Sequence, residues 1–247
     1  MKQEVAELHE LLKRAKENGP FVLVGHSYKG LLARLFAGAY PRDVAGVVLV
    51  DGTHESTVLS VQRRGEPQAR WVRIREGSTG RAVPMAKLME NAGATSDDKK
   101  KIEVFIACLA KPGVVEPPLD RVPRDAQALE YCAHRHRRFS PQADNYWPDE
   151  LQAMFDDRGT HPQPLESTPL SVLASGRSDN GIPSEILKEK EQQKEDMASL
   201  SSNSRFLRVA DSGHHIHLEN PAVVLNEIRD VIQAARKHQP LARRPDR

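Results

Sequence analysis

The apolar run Phe21-Val22-Leu23-Val24, which opens into Gly25-His26-Ser27-Tyr28-Lys29-Gly30 and then into an amphipathic segment, constrains this chain more than any other feature. Four apolar residues are too short a run for a helix, and between flanking glycines they suit a strand covered on both faces. Beyond the turn the period changes. Leu31, Leu32, Leu35, Phe36 and Ala39 recur at helical spacing until Pro41, and a second apolar run, Val47 to Val50, stops at Asp51-Gly52. Ahead of the first strand, Val5, Leu8, Leu11, Leu12 and Ala15 trace an amphipathic helix over residues 3–17, ended by Gly19-Pro20. Helix and strand in alternation require right-handed crossovers, hence a parallel sheet with helices on both faces. Ligands of such α/β sheets bind outside the carboxyl ends of the strands, here Gly25 and Asp51.

The alternation lapses between Gly52 and Ser167. Apolar segments there, Ile102 to Leu109 and Ala126 to Cys132, read as helices among prolines and charged loops, and Asp97 and Asp98 precede a helix starting near Lys99. The region 53–167 is therefore expected to be a helical cap inserted into a core made of residues 1–52 and 168–238. The sheet resumes with strands at Leu170 to Ala174 and Phe206 to Ala210. Between them Ser184 to Leu200 reads as a charged helix with Ser184 as its cap, and Pro221 opens a last helix carrying Val224, Leu225, Ile228, Val231 and Ile232 inward. The basic, proline-containing end, residues 239–247, has no apolar periodicity and is expected to fray as a disordered tail.

Charge excludes some functions. Lys and Arg number 36 against 34 Asp and Glu, so no global field selects nucleic acid as a partner. The first residues are too charged for a signal peptide or a membrane span, and no membrane partner is expected. Cys108 and Cys132 show neither a CxxC spacing nor a larger even framework, which suggests no disulfide scaffold, no zinc site and a reducing, cytoplasmic setting. No phosphate-cradling glycine loop is present, so no cofactor is expected. His214, His215 and His217 lack a carboxylate or cysteine at a zinc-like spacing, and no metal is assigned.

A sharp strand-to-helix turn lifts a serine above the sheet in a strained backbone conformation and aims the next N–H at the substrate oxygen. Ser27 occupies that place; its structural alternative is a serine that only caps the following helix. Three blocks in order, GHSYKGLLARLFAGAYP with VAGVVLVDGTH, then LSVLASGRSDNGIP, then LRVADSGHHIHLENP, resemble the α/β-hydrolase fold family, in particular its esterase-like serine hydrolases. The resemblance implies Ser27 as nucleophile, His214 as base, the Tyr28 backbone N–H in the oxyanion hole, and an acid in the chain order serine, acid, histidine. That order favours Asp179, with Asp51 as the alternative. The implied substrate is a small ester or related acyl compound.

Two departures stand against the family pattern. Lys29 takes a position usually held by a small residue, and its stem must escape along the surface. The family's earlier strands are not found ahead of the first helix, so the chain is expected to start midway through the fold, lacking part of the oxyanion hole and possessing an open sheet edge suited to self-association. The other class of function consistent with these departures is a non-catalytic relative acting as a binding or interaction protein.

Overall fold

The computed structural model describes residues 1–61, 70–76, 80–83, 106–111, 113–135, 147–177 and 181–242. Helix α1 (Lys2–Arg14) leads to strand β1 (Phe21–His26), helix α2 (Lys29–Ala39), a 3₁₀ turn at Pro41–Asp43 and strand β2 (Val44–Val50). Two short antiparallel ribbons follow, β3 (Val58–Val61) with β4 (Arg70–Arg73) and β5 (Arg75–Glu76) with β6 (Arg81–Ala82). Helices α3 (Arg124–Arg135) and α4 (Trp147–Thr160) precede strand β7 (Leu170–Ser175) and helix α5 (Ser184–Asp196), which runs into a 3₁₀ turn at Met197–Leu200. Strand β8 (Ser204–Val209), the short helix α6 (Ile216–Glu219) and helix α7 (Pro221–Lys237) complete the described chain.

Strands β1, β2, β7 and β8 form one sheet in that order, all parallel. In β2 successive side chains point to opposite faces. Val47 and Leu49 pack with Phe36, Val172 and Met197, while Val48 and Val50 pack with Leu173, Val224 and Val231. Val47, Val48 and Leu49 are wholly buried, and burying a side chain of this kind contributes about 1.5–3 kcal/mol. Gly46 lets α7 approach: a Cβ there would lie 2.3 Å from Val231 Cγ1.

A buried ionic cluster ties the excursion between β2 and β7 to this core. Glu55 accepts from Arg34 of α2 at 2.7 Å and from Arg158 of α4 at 2.8 Å, and Arg158 also reaches Asp196 at 2.6 Å. Burial opposes ionisation of Glu55, but Arg34, His54 and Arg158 outweigh it and hold the carboxyl below its ordinary range.

Several expectations are corrected. β1 is not covered on both faces: among the described residues it stands at the sheet edge, and Val24 is 48% exposed. The excursion contains two β ribbons as well as helices; Arg70-Trp71-Val72-Arg73 has no polar-apolar alternation, and two apolar residues are too short a run to stand out among charged neighbours. Within the segment Ile102 to Leu109, residues 106–110 are helical and the remainder, like Asp97 and Asp98, lies outside the described residues. Ser184 does not cap α5, since the N-cap position is Pro183 and Ser184 is already helical.

Cys108 and Cys132 are joined in a disulfide across 24 positions of sequence. Spacing could not reveal this pairing, because the fold, not the local motif, brings the two together. Cysteine usage led to the expectation of no disulfide scaffold, and this bond is the correction. The C-terminal segment is also less free than its composition suggests. Leu241 is buried, its N–H donates to Asn203 Oδ1 at 2.8 Å, and Arg205 donates to the Ala242 carbonyl at 2.7 Å; residues 243–247 lie outside the described chain. No helix among the described residues is long and apolar enough to cross a membrane.

Candidate active site

The turn after β1 is closed by backbone groups. Ser27 adopts φ 53°, a conformation rarely populated by non-glycine residues. Its N–H donates to the Val50 carbonyl at 3.1 Å, and its own carbonyl accepts from Gly30 at 2.9 Å and from Thr53 at 3.0 Å. Gly25 is needed for the reversal, since a Cβ there would stand 2.6 Å from the Lys29 carbonyl oxygen and 2.7 Å from Gly30 Cα. The close approach is thus made at Gly25 and not at position 29, which explains how a lysine is accommodated. Lys29 is 63% exposed, with Nζ 3.5 Å from Glu4 Oε1. Tyr28 takes the N-cap position of α2, and its hydroxyl donates to Glu4 at 2.9 Å.

His214 lies in the turn between β8 and α6, at the carboxyl end of the sheet. Its Nδ1 is 2.6 Å from Asp51 Oδ2. Asp51 follows β2 directly, is buried, and has φ 44°. Its other oxygen accepts from the Ser175 N–H at 2.9 Å and pairs with Lys194 Nζ at 2.9 Å. Burial works against the carboxylate, but the hydrogen bond from His214, the charge of Lys194 and the Ser175 N–H together push its pKa well below the ordinary range. Asp51 is therefore ionised, and an ionised acceptor places the proton of a neutral His214 ring on Nδ1 and leaves Nε2 with its lone pair.

Of the residues read from sequence, the structure brings His214 and Asp51 together. Asp179 lies outside the described residues. Ser27 lies next to His26, whose Nε2 donates to the His214 carbonyl at 2.9 Å, so β1 and the histidine loop are in contact. Among the described residues no hydrogen bond joins the Ser27 hydroxyl to the His214 ring, and such catalytic bonds are commonly long before substrate binds. A cleft beside the pair is lined by Asp51, Thr53, Ile182, Leu187, Lys194 and His214, with Ser27 outside its wall.

Sequence reasoning missed Lys194 and the structural part played by His26. Lys194 sits in a helix so rich in charge that nothing marks one lysine as inward-facing. His26 was readable as a neighbour of the turn but not as the anchor of the His214 backbone. Burial, the largest cause, and the neighbouring histidine rings lower its pKa to about 4 against the raising effect of the hydrogen bond to the His214 carbonyl.

Residues 3–227 match the alpha/beta hydrolase family. A protein of Gibberella zeae described as an AB hydrolase superfamily protein is 21% identical over 246 residues, covering 93% of this chain and 70% of the relative. Among solved structures, an esterase from Rhodococcus sp. is similar at 19% identity, with a TM-score of 0.46, covering 94% of this chain and 71% of its own. A thermophilic esterase from Thermogutta terrifontis is similar at 19% identity, with a TM-score of 0.44, covering 95% and 72%.

Proposed function

The chain belongs to the alpha/beta hydrolase family, and from that membership we propose that it cleaves a small ester or related acyl substrate with Ser27 as nucleophile, His214 as base and Asp51 as the orienting acid. The observation that carries this reading is the 2.6 Å contact between His214 Nδ1 and a buried, ionised Asp51, on the same rim of the sheet as the positive-φ Ser27.

In this reading Ser27 Oγ attacks the acyl carbonyl while His214 Nε2 takes its proton. Asp51 fixes the ring by holding Nδ1–H and stabilises the imidazolium that forms. The oxygen of the tetrahedral intermediate is received by the Tyr28 N–H, since the residue after the nucleophile points its amide there. The intermediate collapses with loss of the alkoxide leaving group, which His214 protonates; water then attacks the acyl-serine by the same proton path, and Ser27 is regenerated. Cation-bearing Lys194 keeps Asp51 charged throughout. The proposed setting is an aqueous compartment with no membrane and no nucleic acid as partner.

A labelled fluorophosphonate tests the assignment, with peptide mapping of the adduct. Labelling of Ser27 that disappears in Ser27→Ala supports it; an unlabelled chain under conditions that modify an active serine esterase overturns it. A second reading rests on the exposed Val24 edge of β1: two copies associate through this edge without catalysis being required. A concentration series by light scattering that stays monomeric sinks that reading alone.

A further inference from the structure

Three histidines outside the proposed catalytic set converge where the end of β1 meets the start of α6. One ring nitrogen from each of His26, His215 and His217 lies within 4.8 Å of the other two. The ring centroids are 4.5 Å apart for His26 and His217, 5.2 Å for His26 and His215, and 5.9 Å for His215 and His217. No pair is stacked, the interplanar angles being 59°, 39° and 69°.

Two details distinguish this group from rings that merely pack. His217 Nδ1 is buried and, among the described residues, has no hydrogen-bond partner, an unusual condition for a buried ring nitrogen. His26 Nε2 is 2.9 Å from the His214 carbonyl, which can only accept, so the proton is on Nε2 and Nδ1 carries a lone pair. A ring held by a hydrogen bond from one nitrogen to a backbone carbonyl is the state in which histidine binds metal through the other.

We propose that His26, His215 and His217 form a binding site for a divalent cation of the late first transition row, with Zn²⁺ the foremost occupant. Neutral imidazoles without a carboxylate suit Zn²⁺, Cu²⁺ or Ni²⁺ and offer little to Mg²⁺ or Ca²⁺, which take oxygen ligands. Tetrahedral Zn²⁺ with bonds of about 2.0–2.1 Å sets its nitrogen ligands roughly 3.3 Å apart. The three rings reach that geometry by closing about 1.5 Å at most, a side-chain adjustment. The fourth position is left to water. The ion ties α6 and the loop before it to the end of β1, two segments 189 positions apart between His26 and His215, and so fastens the loop that carries His214.

The test uses the full chain, stripped of metal and titrated with ZnCl₂ by calorimetry, with CoCl₂ as a visible probe. One Zn²⁺ binds per chain, Mg²⁺ and Ca²⁺ do not compete, and Co²⁺ gives the intense d–d absorption of a tetrahedral site. His215→Ala and His217→Ala each weaken Zn²⁺ binding by at least about 10-fold, while His161→Ala, at an exposed ring on α4's C-terminal side, leaves it unchanged. Absence of Zn²⁺ binding, or equal affinity in both variants and the parent, overturns the site. Should one variant lose its cooperative melting transition, the other variant decides, and a parent chain without the tetrahedral cobalt band is itself a refutation.

Discussion

Replacing Asp51 by Asn separates the proposed acid from its rival. Asp51 receives His214 Nδ1 at 2.6 Å on one oxygen, and Ser175 N and Lys194 Nζ at 2.9 Å each on the other. An amide offers one oxygen and one NH₂. With the oxygen kept toward Ser175 and Lys194, the NH₂ faces His214 and forces Nδ1 to accept, so the ring proton moves to Nε2 and the base is lost. A triad with the wrong tautomer turns over about 10⁴-fold more slowly, roughly 5.5 kcal/mol of barrier at about 1.4 kcal/mol per decade. Stability falls as well, because Lys194 keeps a charge without its counterion. Removing one partner of a buried pair costs about 3–5 kcal/mol. The lower end applies here, since Lys194 is 18% exposed and still has Ser175 Oγ at 2.8 Å. The assay is p-nitrophenyl acetate hydrolysis, with kcat and KM resolved, beside urea unfolding of the same samples. The expected result is a kcat loss near the stated size with KM little changed, and Asp179→Asn within a few-fold of the parent. A D51N enzyme within 10-fold of the parent, or a larger loss in D179N, refutes the reasoning.

Acid should destabilise the fold through Asp51 and Glu55. Both pKa values are lowered in the folded chain, against about 3.9 and 4.3 when unfolded, so their stabilisation is complete above those values and is lost as pH falls toward the folded ones. Urea midpoints should hold from pH 7 to 5 and drop below about pH 4, each group contributing up to about 1.4 kcal/mol per pH unit. Gly25→Ala should destabilise by more than about 1–3 kcal/mol, because its Cβ would meet backbone at 2.6 and 2.7 Å; a melting temperature equal to the parent's would contradict the turn geometry. Cys132→Ser should lower stability by about 3.5 kcal/mol, from closure of the 24-position loop, and intact-mass measurement of the parent should show two fewer hydrogens than the reduced chain. Glu227→Gln should destabilise by about 3 kcal/mol, the lower end for a broken buried pair, since Arg205 and Ser171 Oγ both donate to this buried carboxylate and Arg205 keeps Asp230 at 2.9 Å; an unchanged denaturation midpoint would show that the pair is not desolvated.

Much of the sheet was legible because its strands are short apolar runs, and the helices between them carry a clear period. Val47 to Val50, Leu170 to Ala174 and the helix from Pro221 needed only that contrast. What the sequence withheld depends on contacts between distant segments. β1 reads as fully buried by composition, but burial is set by its neighbours, and its place at an edge leaves Val24 exposed. The disulfide between Cys108 and Cys132, the tie of Leu241 to Asn203 and the pairing of Lys194 with Asp51 are likewise absent from any local pattern. At the candidate site the order of serine, aspartate and histidine ranked Asp179 over Asp51. Chain order cannot measure which carboxylate a loop from β8 reaches, and His214 reaches Asp51.

The direct pairing of β2 with β7, Val47 opposite Leu170 and Val50 opposite Leu173, has an evolutionary consequence. Among the described residues between these two strands none joins the sheet, and the chain leaves and re-enters it at adjoining places, so the excursion can drift without altering the register. Descendants of this chain can exchange that whole excursion and acquire new preferences in what they admit, while the instructions for folding pass on untouched.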